Sequence, residues 1–272
     1  MLGSALIVFR ETLEAALLIG IIAAVTRGLP GRERWLALGI GAGLAGALAV
    51  AGLTERIAEL AEGTGQELFN AAVLGLAVVM LGWHNVWMAR HGREMASQAR
   101  AMGEAVRGGE REMSALAILI ALAVLREGSE TALFLYGLAA GGEGGQWSLV
   151  SGGVLGLAGG VAAGWLIYSG LARIPVGHFF SVTGGLILLL ASGMAGQMAR
   201  FLVQGDFVRP MASPLWDSSR LLPMDSTLGN FLHLLAGYEA QPSGTQVLFY
   251  TVTFLAIYLG MRWSRVRSSP SS

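Results

Sequence analysis

The sequence predicts an all-α, polytopic membrane protein with seven transmembrane helices, arranged as an inverted repeat of helices one to three and four to six plus a seventh helix. Three observations carry this expectation. The 272 residues are 54% hydrophobic and 13% charged, about half the charged share of a soluble domain, and mean hydropathy is +0.60. Apolar runs long enough to cross a hydrocarbon core of about 30 Å recur along the chain. A charged motif in the first run returns in the fourth.

Composition also removes whole classes of function. Cys is absent, which excludes disulfide scaffolds, thiolate metal sites and cysteine nucleophiles. The 18 basic residues are all Arg and balance 18 acidic ones, so no general attraction to nucleic acid is expected. Gly reaches 40 residues without a collagen period, and the apolar content is too high for disorder.

The predicted helices are Ser4–Val25, Trp35–Leu53, Phe69–Met88, Ala115–Ala140, Trp147–Leu171, Phe179–Met198 and Val247–Met261. The first is read as a retained helix, because Arg10, Glu11 and Glu14 interrupt it and no basic stretch precedes it. In the fifth, Gly152, Gly156, Gly160 and Gly164 recur every four residues, and Gly39 and Gly43 begin a similar seam in the second. Such stripes let helices approach closely in lipid. Trp35, Trp83, Trp87, Trp147 and Trp263 fall near helix ends, as interfacial anchors do. The whole chain, 1–272, is expected to form one transmembrane domain. Repeat A covers about 1–89, a cytoplasmic loop 90–113, repeat B about 114–204, an outer segment 205–245, and the last helix with its tail 246–272.

Arginine placement sets the orientation. Arg27, Arg32, Arg34, Arg90, Arg93, Arg100, Arg107, Arg111, Arg173, Arg262, Arg265 and Arg267 fall on one side. By the positive-inside rule that side is cytoplasmic, giving an outside N-terminus and a cytoplasmic tail in the plasma (inner) membrane. The other side is acidic, with Glu55, Glu59, Glu62, Glu67, Glu143, Asp206, Asp217, Asp225 and Glu239. It reads either as ordinary solvated loops or as a vestibule that attracts cations.

The repeat pairs Arg10-Glu11-Thr12-Leu13-Glu14 with Arg126-Glu127-Gly128-Ser129-Glu130, and Gly43-Leu44-Ala45-Gly46 with Gly156-Leu157-Ala158-Gly159. Three helices per copy give the copies opposite topology, a transporter signature with its site near the midplane. Glutamates three apart share a helix face. At 1.5 Å rise per residue, Glu14 and Glu130 each lie roughly 15 Å from the outer helix end. Each intramembrane charge costs about 3 kcal/mol on insertion scales, so the six must pair or bind something. Four Glu against two Arg leave a formal charge of −2.

An ion-pair cluster that only locks the two helices would not need two excess carboxylates and is replaceable by apolar packing. A cation site does need them. Carboxylates without thiolate suit hard ions such as Fe(III) or Mn(II), and adjacent glutamates also suit a proton relay. The expected metal ligands are Glu11, Glu14, Glu127 and Glu130, with Arg10 and Arg126 compensating charge. Asp217, Asp225, His233 and Glu239 are candidates for an entrance, and His84, beside Asn85, for an exit. Met194 and Met198 share a face but fit apolar gap-filling better. Ser129 finds no matching His, so an intramembrane hydrolase, and an enzyme generally, is not expected.

With both motifs intact, the chain resembles the oxidase-dependent iron permeases, which include the bacterial EfeU-type iron permeases. The resemblance extends to Trp87-Met88, Pro214-Leu215-Trp216-Asp217, Leu232-His233, Gly237-Tyr238 and Pro242-Ser243-Gly244. It implies uptake of iron ions across the plasma membrane, with the motif glutamates as ligands and no permanently bound cofactor. It also implies partners: membrane lipid, and a periplasmic iron-binding protein with a haem peroxidase, or a multicopper oxidase as in fungal members. The fungal outer-loop motif E-D-L-W-E is absent, and Leu215-Trp216-Asp217 is its nearest counterpart. The alternatives are a proton-conducting or scaffold subunit, or a transporter of another hard divalent metal.

Overall fold

The computed structural model describes the backbone of residues 1–61, 66–142, 145–170 and 176–267, and side chains there except at 57–61, 89–93, 176–180 and 265–267. Arg90, Arg93, Arg173, Arg265, Arg267, Glu59, Glu62 and Glu143, counted above in the charge pattern, lie outside the described side chains. Eight helices form among the described residues: α1 (Leu2–Val25), α2 (Arg32–Ala61), α3 (Gln66–Arg107), α4 (Met113–Ala140), α5 (Gln146–Tyr168), α6 (Val176–Gln204), α7 (Thr227–Ala236) and α8 (Gly244–Arg267). Five of them, α2, α3, α5, α6 and α8, contain stretches long and apolar enough to cross a membrane. The other two long helices, α1 and α4, are the ones that carry an Arg and two Glu at mid-length.

Two segments differ from the sequence expectation. The charged stretch 90–113, expected as a loop, is for most of its length the continuation of α3 to Arg107. Hydropathy drops there, but most of the residues are Ala, Glu, Gln, Arg and Met, strong helix formers that carry the helix past Gly92 and Gly103, and the break comes at Gly108 and Gly109, the latter at φ 78°. Ala99 and Val106 of this extension bury against Ile22, Leu116, Ile120 and Val124 of α1 and α4. The outer segment 205–245 likewise contains α7. Ser226 caps α7, its hydroxyl accepting from the Gly229 amide at 2.9 Å. Gly237 ends it in the left-handed region at φ 67°, where a glycine carries no Cβ penalty.

The long helices pack in a crossed pattern. Glycines of α5 lie against α1: a Cβ on Gly160 would stand 2.7 Å from Thr12 Cβ, and one on Gly164 would stand 2.5 Å from Ala16 Cβ. Glycines of α2 lie against α4 in the same way, with a Cβ on Gly39 2.7 Å from the Ala117 carbonyl and one on Gly43 2.6 Å from Val124 Cβ. Only glycine permits such contact, and the gain is close van der Waals packing where no hydrophobic force separates helix from lipid. Asn85 ties α3 to α6, its amide donating to the Gly184 carbonyl at 2.9 Å.

Two apolar clusters form along the bundle. One contains Ile7, Leu74, Ala77, Leu81, Phe134, Leu138, Ile187 and Met194. The other contains Ile22, Ala99, Leu116, Ile120 and Val124. On α1 the first cluster takes residue 7 and the second residue 22; on α4 the first takes residue 134 and the second residue 124. Residues 11–14 and 127–130 therefore lie between them.

Candidate metal centre

The interval between the clusters holds the charged motifs. On α1 the i,i+4 spacing brings Arg10 Nε to 3.1 Å from Glu14 Oε1, and Arg10 Nη1 is 3.6 Å from Glu11 Oε1. On α4 the same spacing brings Arg126 Nε to 3.1 Å from Glu130 Oε1, and Arg126 Nε is 3.7 Å from Glu127 Oε1 of the next residue. Helix periodicity produces the two i,i+4 pairs, and the packing of α1 against α4 brings the two sets together.

A residue of α3 joins them. His84 is 3% exposed, with Nε2 3.4 Å from Glu14 Oε2 and 3.8 Å from Glu11 Oε2, while Nδ1 contacts Glu130 Oε2. The imidazole thus stands between the carboxylates of the two motifs. Glu11, His84, Glu127 and Glu130 each offer one ligand atom, all within 4.8 Å of one another, and no other such group of three or more occurs among the described residues. Glu14 adjoins this group through His84.

Hydrogen bonding leaves the centre unfinished. Arg10 Nε and Nη1, both carboxylate oxygens of Glu11 and of Glu14, both ring nitrogens of His84, and Oε2 of Glu127 and of Glu130 are buried without a well-formed hydrogen bond, although all but Glu127 Oε2 lie at ion-pair distance from one another across the centre. Buried polar atoms are ordinarily paired, and leaving one unpaired costs about 1–3 kcal/mol, more when it is charged. Carboxylates from two helices thus converge on one point, with Arg10, Arg126 and His84 as their neighbours, in a group that could hold a metal ion.

The remaining candidates have other surroundings. His84, expected as an exit residue beyond the glutamates, stands among them. Sequence reasoning placed it low because it read the helix as ending at Met88, and no spacing rule links residue 84 to either motif. Asp217, Asp225, His233 and Glu239 are not brought together. Asp217 accepts from the Ser219 amide and the Gln241 side chain, each at 2.9 Å; its bonds to Ser219, then to Gln241, hold the carboxyl below the usual carboxylate range. His233 Nδ1 donates to the Tyr238 carbonyl at 2.7 Å, Asp225 is exposed, and Glu239 lines an apolar cavity of about 350 Å³ with Gln197, Trp216 and Tyr250. Met194 belongs to an apolar cluster and Met198 packs against it. The Ser129 hydroxyl donates to the Leu125 carbonyl at 2.6 Å. Trp87 lies under the Arg126 guanidinium, 4.4 Å from ring centroid to Cζ.

Comparison with known proteins agrees with the residues. The chain is 34% identical over 253 residues to the ferrous iron permease EfeU of Escherichia coli O6:K15:H31 (strain 536 / UPEC), covering 91% of this chain and 90% of that protein. The ferrous iron permease EfeU of Shigella sonnei (strain Ss046) matches to the same extent. A putative inactive ferrous iron permease EfeU from Escherichia coli (strain K12) is 32% identical over 253 residues, with the same coverage. No solved structure matches the chain. The model of the iron permease FTR1 family matches residues 1–269, and the chain belongs to that family.

Proposed function

We propose that this iron permease carries iron ions inward through the buried centre, with Glu11, Glu14, Glu127 and Glu130 as ligands to the ion in transit. The observation that carries this is the convergence of buried carboxylate oxygens without well-formed hydrogen bonds. Arg10 and Arg126 hold the carboxylates in place and compensate part of their charge. They supply no ligand atoms, because guanidinium has no lone pair to give. The protein is a transporter rather than an enzyme, and iron is its substrate rather than a resident cofactor.

The membrane arrangement that fits this role has seven spans: α1, α2, the first part of α3, α4, α5, α6 and α8. Repeat A (about 1–89) and repeat B (about 114–204) are then inverted copies. The crossed packing supports that reading, since the first helix of each copy leans on the second helix of the other. Arg placement supports an outside N-terminus and a cytoplasmic tail. The outer segment 205–245 is then the surface that an iron-binding protein, a haem peroxidase or an oxidase would meet.

Uptake of radioactive iron into proteoliposomes tests the site. Wild-type protein takes up iron, and Glu11→Gln, Glu14→Gln, Glu127→Gln and Glu130→Gln do not, while each remains in the membrane. If all four variants carry iron at the wild-type rate, the pathway lies elsewhere in the protein.

A further inference from the structure

The four glutamates account for carboxylate chemistry alone, yet the centre contains a fifth side chain on a third helix. We propose that His84 is itself a ligand to the ion, and that its nitrogen makes the centre selective for divalent first-row transition metals over Mg²⁺ and Ca²⁺. The proposal rests on the glutamate site described above and deepens it.

Position supports it first. His84 contacts Glu11 and Glu14 of α1 through Nε2, and Glu130 of α4 through Nδ1. An ion seated among these carboxylates therefore meets the imidazole. Both ring nitrogens are buried and face only carboxylate oxygens among their ion-pair contacts. A metal-bound imidazole normally gives its other nitrogen to a carboxylate, which fixes the ring and raises its basicity. Here carboxylates flank both edges of the ring, so whichever nitrogen binds metal, the other has such a partner.

Donor chemistry gives the selectivity. A set of oxygens alone suits Mg²⁺ and Ca²⁺, and these ions gain little from imidazole. Fe²⁺, Co²⁺ and Zn²⁺ bind imidazole well. One nitrogen among carboxylates therefore raises affinity for the second group and leaves the first nearly unchanged. Charge points the same way. Counted formally, four carboxylates and two guanidiniums carry −2, which a divalent ion cancels; a trivalent ion leaves one positive charge over.

The test uses full-length protein in detergent, loaded with Mn²⁺ as a paramagnetic probe and read by pulsed electron paramagnetic resonance, alongside iron uptake in proteoliposomes. Bound Mn²⁺ is expected to show coupling to an imidazole ¹⁴N, and H84Q to lose that coupling. In uptake, H84Q is expected to lose affinity for Fe²⁺ by about tenfold or more, the scale seen when even an outer partner of a metal ligand is removed, and to become sensitive to competing Mg²⁺. Wild-type Mn²⁺ without nitrogen coupling overturns the proposal, whether or not H84Q folds. Coupling that persists in H84Q overturns it as well. Failure of the glutamate reading looks different: Mn²⁺ binding and iron uptake would then both survive the combined Glu11→Gln and Glu130→Gln substitution.

Discussion

Arg10 of α1 and Arg126 of α4 hold their glutamates by the same spacing and the same 3.1 Å contact, yet their surroundings differ. The Arg10 side chain is 2% exposed, enclosed with Glu11 and Glu14. That of Arg126 is 35% exposed and lies on the face of Trp87. One sequence motif thus supplies a sealed half and a half open to its surroundings. Periodicity dictates the i,i+4 pairing within each helix, whereas the neighbouring helices decide how far each pair is enclosed in the bundle.

Substitutions can sharpen or break this contrast. The carboxylates should not obey it. Glu14→Ala on the sealed side and Glu130→Ala on the open side are both expected to abolish iron uptake in proteoliposomes, since each takes away part of the same centre. A Glu130→Ala protein with near-normal transport would show that the open half is not part of the pathway.

The arginines should obey it strongly. Arg10→Ala leaves carboxylates buried without their cation, a change that costs about 3–5 kcal/mol, so its membrane abundance and melting temperature in detergent should fall sharply. Arg126→Ala takes away a guanidinium that is 35% exposed, against 2% for Arg10, so it is expected to lose less abundance and melting temperature than Arg10→Ala. Equal losses in the two variants would erase the distinction.

A smaller effect is expected at Trp87. Trp87→Leu removes a cation–π contact of about 0.5–1 kcal/mol at a site of this exposure. It should lower the melting temperature slightly, and more in wild type than in an Arg126→Ala background. Additive losses would mean that the ring and the guanidinium do not interact.

The smallest effects separate crowded from open glycines. Gly160→Ala forces a Cβ to 2.7 Å from Thr12 Cβ at the α1–α5 seam and should destabilise. Gly41→Ala meets nothing within 4 Å and should be neutral or gain up to about 1 kcal/mol from helix propensity. Thermal melting of the two variants side by side reads the difference.

Much of the architecture was legible because two simple rules act within single helices. Apolar length marked the long helices, five of which are apolar enough to cross a membrane, and three- and four-residue spacing put Glu11 with Glu14 and Arg10 with Glu14, then Glu127 with Glu130 and Arg126 with Glu130. His84 was legible only as a polar residue in an apolar helix, because its role depends on how α3 packs against α1 and α4. The extension of α3 was missed for another reason: hydropathy marks where lipid ends, while helix propensity and glycine mark where a helix ends. At α7 a signal was present, Ser226 and Gly237 bracketing an apolar stretch in the positions of an N-cap and a C-terminal stop.

The glycine seams have a mechanical consequence. Where α5 meets α1 and α2 meets α4 at backbone distance, each pair has little room to slide internally and behaves as one stiff leaf. Glu11 and Glu14 ride on one leaf, Glu127 and Glu130 on the other. Any displacement of leaf against leaf would change the spacing between the two sets of oxygens, so the geometry of the charged centre is tied to how the two leaves pack.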